Sequence, residues 1–293
     1  MQLQQLDIFD HSRDTMLRND VAAALERRDA ISAGSAWSTF AEEFPHDESL
    51  APLSVLVDAL DHCTTAPFPD HESVQQARRT LSEMIEPAAR RIFGGVAGAG
   101  WSAPLWGEMA RRAAHLAMHP EHGDDHCAAL WLRAGDWSAA SDAVARIESW
   151  RRIPAPLAWM AEAHYHVHDL DGAWPLLAEL AWLSPERFDQ LTRRLADPLL
   201  ERLRKSFDAS FEGQGDVRDL VWFPAWVLTE KPGLSRLLGQ VQRCLHTEPE
   251  QAMRLLLEIL GLERQGRHHD LVGRRKSLRD THPSLYAAYM RTR

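Results

Sequence analysis

The chain has 293 residues and a mass of 33.2 kDa, of which 45% are hydrophobic and 26% charged. That length buries a sizeable core without disulfide or metal staples, and the composition is that of an ordinary globular protein. The 33 Lys and Arg against 42 Asp and Glu leave a formal charge of −9, which argues against a surface that binds nucleic acid indiscriminately. No run of about 18 apolar residues is present to span a bilayer. Residues 1–10 carry neither a basic segment nor an apolar stretch with a cleavage site, so the expected location is cytoplasmic. Cys63, Cys127 and Cys244 are too widely spaced for a Cys-x-x-Cys metal pair or a disulfide framework, and reduced, buried thiols are expected.

At the N-terminus stands Gln5-Leu6-Asp7-Ile8-Phe9. This pentapeptide resembles the motif by which bacterial replication and repair proteins dock on the DNA polymerase sliding clamp: glutamine, leucine, serine or aspartate, leucine, phenylalanine. Ile8 in place of leucine is the one departure. The resemblance implies an extended docking peptide, with Leu6, Ile8 and Phe9 in apolar pockets and the Gln5 amide fixing register. The rival expectation is that the three apolar residues pack under the first helix as a staple ahead of its cap.

Helical signals then dominate to the end, with no sustained strand alternation, and an all-α fold follows. Asp10 or Asp14 is placed to cap a helix bearing Leu17, Val21, Ala24 and Leu25 on one stripe, with a partner over residues 35–44. Residues 45–48 and 66–71, rich in proline and acids, read as loops. Residues 94–100, GGVAGAG, read as a flexible hinge. A phosphate-cradling loop there would need a preceding strand and a following Gly-Lys-Ser/Thr, and neither is present.

Two stretches, residues 128–150 and 161–185, superimpose at a spacing of about 33 residues. Ala128 and Trp131 match Ala161 and His164; the turn Gly135-Asp136-Trp137 matches His168, Asp169 and Leu170; Ala140 matches Ala173, and Pro185 closes the second stretch. These residues resemble tetratricopeptide repeats, with His168 where the turn glycine belongs and no proline one period before Pro185. The resemblance implies stacked helical hairpins, an α-solenoid whose groove holds a protein partner. A third unit is expected over Leu255 to Pro283, turning at Gly266, with Tyr286, Tyr289 and Met290 on a closing helix. Trp131, Trp137 and Trp174 fall at positions that face a neighbouring helix. The expected division is a motif segment at 1–9, a helical region at 10–100, repeats at 101–205, and a C-terminal repeat with its capping helix at 217–293, the break near residues 204–219 separating the last two.

Histidine offers the one metal-like pattern. His115 and His119, four apart on an expected helix with His122, Asp124, Asp125 and His126 beyond, could share a zinc ion. A catalytic site of the His-Glu-x-x-His kind needs a glutamate where Ala117 and Met118 stand, and solvated histidines at a helix C-terminus account for the same residues. His164, His166 and His168 alternate, which points them apart on a helix. No nucleophile elbow or dinucleotide fingerprint occurs, so no catalytic residue, cofactor or metal is expected. Residues 264–293 carry eight Lys or Arg against two acids, and Arg274, Arg275, Lys276 and Arg279 form a candidate phosphate-contacting face for DNA. The expectation is a non-catalytic interaction scaffold, tethered to the clamp through residues 5–9. The alternative is a cytoplasmic adaptor unrelated to DNA with a buried N-terminus.

Overall fold

The structure, a computed structural model, describes residues 2–62, 64–242 and 246–292, with side chains described from Arg13 onward. Cys63 and Cys244 therefore lie outside the described residues, whereas Cys127 is a buried free thiol. Every regular element among the described residues is helical. No described helix is long and apolar enough to cross a membrane. The chain divides into two compact units at Asp136/Trp137.

The first unit holds α1 (Gln2–Glu26), α2 (Ala30–Glu43), α3 (Leu50–Asp61), α4 (His71–Thr80), a π-helical turn (Leu81–Ile85), α5 (Glu86–Phe93), α6 (Gly95–Ala113) and α7 (Cys127–Ala134). α1 packs on α2, α2 on α3, α3 on α5, α5 on α6 and α6 on α7, so sequence neighbours bury one another's apolar stripes. The stripe read on α1 is the one that is buried: Leu17, Val21, Ala24 and Leu25 meet Phe40, Leu53, Leu56 and Trp101. The Trp101 indole donates to the Leu25 carbonyl at 2.9 Å, which satisfies its only polar group inside the core. Asp29 caps α2 by accepting from the Ser32 amide, and Asp70 caps α4 by accepting from the Ser73 amide.

Two expectations are corrected here. α1 begins at Gln2 rather than after a cap at Asp10 or Asp14, and Asp14 pairs with Arg18 instead. Residues 94–100 are not a hinge. Gly94, at φ 84°, ends α5, and residues 95–100 form the first turns of α6. Gly98 lies so close to α5 that a Cβ there would fall 2.7 Å from the backbone of Ala89 and Arg90. Its glycine serves the α5–α6 crossing, a tertiary requirement that local sequence does not announce.

The second unit contains α8 (Trp137–Ala145), α9 (Pro154–Leu183), α10 (Pro185–Leu195), α11 (Pro198–Ser210), α12 (Phe223–Glu230), the short α13 (Ser235–Leu238), α14 (Glu248–Gln265), α15 (His268–Thr281) and α16 (Pro283–Arg291). Prolines open α9, α10, α11 and α16, where the missing amide would have no helical partner. α8 packs on α9, α9 on α10, α12 on α14 and α16, and α14 on α15. Phe188, Phe207, Phe223 and Trp226 meet in one buried aromatic cluster with centroids 5.3–6.1 Å apart.

The turns expected from sequence are present. Gly135 at φ 73° and Gly266 at φ 67° each close a helix with paired amide bonds to the preceding turn, a conformation glycine reaches without a Cβ penalty. α9 is interrupted at His168 and Asp169, the latter at φ 55°, where the repeat spacing puts a turn. The division between units falls just after the first of these turns. Trp174 is buried, and Trp131 and Trp137 are half-buried against Arg111 and His166. Of the closing-helix residues, Tyr289 is fully buried and Met290 is exposed.

Gly98→Ala tests the α5–α6 crossing. Overpacking costs about 1–3 kcal/mol, only partly offset by alanine's helix preference. Gly100→Ala, where nothing lies within 4 Å, is expected to be neutral or to stabilise by about 0.5–1 kcal/mol. Urea unfolding of both variants separates the two outcomes.

Candidate functional site

The motif Gln5-Leu6-Asp7-Ile8-Phe9 lies within the first turns of α1, and its side chains are outside the described residues. The helix that pairs with α1 stops short of it. Arg13 holds Glu43, the last residue of α2, through both carboxylate oxygens, Nε at 2.9 Å and Nη2 at 2.7 Å. Arg18 reaches Asp47 just beyond α2 at 2.8 Å. Residues 5–9 thus lie N-terminal to the Arg13–Glu43 pair.

The basic residues near the C-terminus are largely neutralised. All four candidates sit on α15. Arg274 pairs with Glu258 at 3.1 Å and Arg279 with Asp280 at 3.3 Å. Arg275 is half-buried between Glu263, at 2.8 Å, and the Tyr289 hydroxyl, also at 2.8 Å; that hydroxyl in turn donates to Glu263. Lys276 is exposed. A groove of about 820 Å³ between α14 and α15 is lined by Glu258 and Asp270 as well as Arg267 and Arg274, so its charge is mixed. The sequence shows the run of cations, but not the acids that α14 places opposite them.

The histidines assemble differently from their spacing. α6 ends at Ala113, so His115 and His119 share no helix. Instead His119 and His122 meet His71, from the first turn of α4, with ring centroids 5.2–6.3 Å apart. Asp125, buried, accepts from Arg78 Nε at 2.7 Å and lies 3.3 Å from the His122 ring. Asp124 is exposed, and His126 caps α7 by accepting from the Ala128 amide. No group of three or more His, Cys, Asp or Glu among the described residues is placed to hold a metal ion. His164 and His168, four apart, meet edge to face with ring centroids 5.5 Å apart, whereas His166 points elsewhere and stacks on Trp137 at 3.8 Å.

A concavity that the sequence did not announce lies inside the first unit. α3, α4, the π-helical turn and α6 enclose about 410 Å³, walled by Val55, Ala59, Ala77, Leu81, Met84, Ile85, Leu105 and Met109. Polar groups ring its mouth: Asp58, His62, Thr64, Thr80, Glu108 and Arg112. Its only sequence trace is a set of apolar residues spread over separate segments, with no motif to join them. Comparison with family models, with curated proteins and with solved structures finds no match.

Titration gives the second unit a definite pH response. Burial holds the imidazoles of His164, His166 and His282 below the ordinary value, with His168 adding to the effect at His164 and Arg194 at His166. Such groups take up a proton less readily when folded than when unfolded. Stability is therefore intact above the free-imidazole value of about 6.5 and falls as pH drops through it. Burial also raises the Glu162 carboxyl against the opposing pull of Arg194, a cost relieved by protonation at lower pH. Thermal melts at pH 7.5 and 5.5 are expected to show a lower Tm at 5.5, and a smaller drop in His166→Phe, which keeps the stack on Trp137 but removes a titrating ring.

Proposed function

We propose that the chain is a non-catalytic, helical-repeat interaction scaffold that docks through Gln5-Leu6-Asp7-Ile8-Phe9 on the DNA polymerase sliding clamp in replication or repair. The observation that carries this reading is the placement of a clamp-motif pentapeptide on the part of α1 that lies N-terminal to the Arg13–Glu43 pair. Docking as an extended peptide requires the first two turns of α1 to unwind. Helix propagation contributes at most about 0.3 kcal/mol per residue, so a few apolar contacts in the partner's pockets outweigh it. The repeat reading is supported by the turns at Gly135 and at His168-Asp169, one period apart. DNA contact is not part of the reading, because Arg274, Arg275 and Arg279 each stand beside a carboxylate.

Calorimetric titration of the full chain with a purified bacterial clamp tests the docking. Saturable binding is expected, weakened at least tenfold by the double change Leu6→Ala and Phe9→Ala, since apolar anchors of this kind each carry more than about 1 kcal/mol. Undetectable binding of the unchanged chain, or equal binding by the double variant, removes the clamp from the account.

A further inference from the structure

The concavity of the first unit has the properties of a built ligand site and is independent of the N-terminal motif. Its volume, about 410 Å³, falls in the range of small-molecule pockets, about 300–1,000 Å³. At about 30 Å³ per water-sized group that is room for roughly a dozen heavy atoms. One wall is the π-helical turn Leu81–Ile85, which joins α4 to α5 without a break. A π-turn inserts a residue into the hydrogen-bond ladder, and such turns occur mostly at functional sites. Leu81 is buried, whereas Met84, three residues on, stays 54% exposed. Met84 and Met109 give the wall two unbranched, polarizable side chains that can repack around different apolar shapes.

The mouth selects the charge of the occupant. Arg112 is committed elsewhere: its Nε donates to the Ala66 carbonyl at 2.7 Å and its guanidinium lies 3.8 Å from the centre of the Phe68 ring. Glu108 is held by Arg111. Asp58 remains, an exposed carboxylate that meets no cation among the described residues. Arg112 keeps its positive charge but is fixed on the Ala66 carbonyl and the Phe68 ring, so Asp58 is the rim charge left unengaged, and the chamber complements a molecule with an apolar body and a cationic head.

We propose that this cavity binds a small amphiphile carrying a single ammonium group, its apolar body between α3, the π-turn and α6 and its head beside Asp58. The probe is decylammonium, compared with decanoate in calorimetric titrations of the full chain. Decylammonium is expected to bind saturably, one per chain, and more tightly than decanoate. Asp58→Asn is expected to weaken decylammonium about two- to fivefold, the range for an exposed ion pair, and to remove the preference over decanoate. Ala77→Trp fills the chamber and is expected to weaken both probes at least tenfold. Should that variant fail to fold, Met84→Ala, at an exposed position, is expected to weaken both while leaving the thermal melt unchanged. Unsaturable uptake, equal affinity for the two head groups, or unchanged affinity in Asp58→Asn overturns the proposal. None of these results bears on clamp docking, which has its own partner and residues.

Discussion

Buried carboxylates with fixed partners tie the helices of this protein together. Taking a carboxylate out of water costs several kcal/mol unless cations or hydrogen-bond donors meet it with good geometry. Glu86 on α5 is met by the Trp106 indole of α6 at 2.9 Å and by Arg133 of α7 at 2.6 Å. Glu179 on α9 receives both oxygens' worth of contact from Arg151, at 2.7 and 2.6 Å, and accepts from the Gln242 amide at 3.0 Å. Glu162 meets Arg194 of α10, and Asp125 accepts from Arg78 of α4 at 2.7 Å. Alanine- and leucine-rich faces can slide by a fraction of a turn at little cost. A buried charge with fixed partners cannot, so these directional contacts set which apolar side chains meet.

The same logic positions the surfaces that could meet other molecules. With α5, α6 and α7 locked around Glu86, the π-turn that precedes Glu86 is held against α3 and α6, and the cavity between them keeps its walls. In the same unit, the Arg13–Glu43 and Arg18–Asp47 pairs fix the middle of α1.

Much of the architecture is legible in the sequence because its signals are local. Gly135 and Gly266 mark helix ends through the left-handed conformation they alone adopt cheaply, and prolines at 154, 185, 198 and 283 mark helix starts. The apolar stripe on α1 is visible from its spacing. What is not legible depends on residues far apart in the chain. GGVAGAG reads as a hinge until α5 is seen lying against Gly98. His71 joins His119 and His122 across nearly fifty residues. The acids that neutralise Arg274 and Arg275 come from α14. The cavity draws on three segments, none of which carries a motif, and a π-turn leaves no compositional mark.

The claim that buried carboxylates set the register is tested most directly by the unfolding free energy of Arg151→Met and of the double change Arg151→Met with Glu179→Met. The single change leaves Glu179 buried without its cation, and a loss of about 3–5 kcal/mol is expected; the double change removes the stranded charge and is expected to recover most of it. A single variant as stable as the unchanged chain, or a double variant no better than the single, would contradict the account.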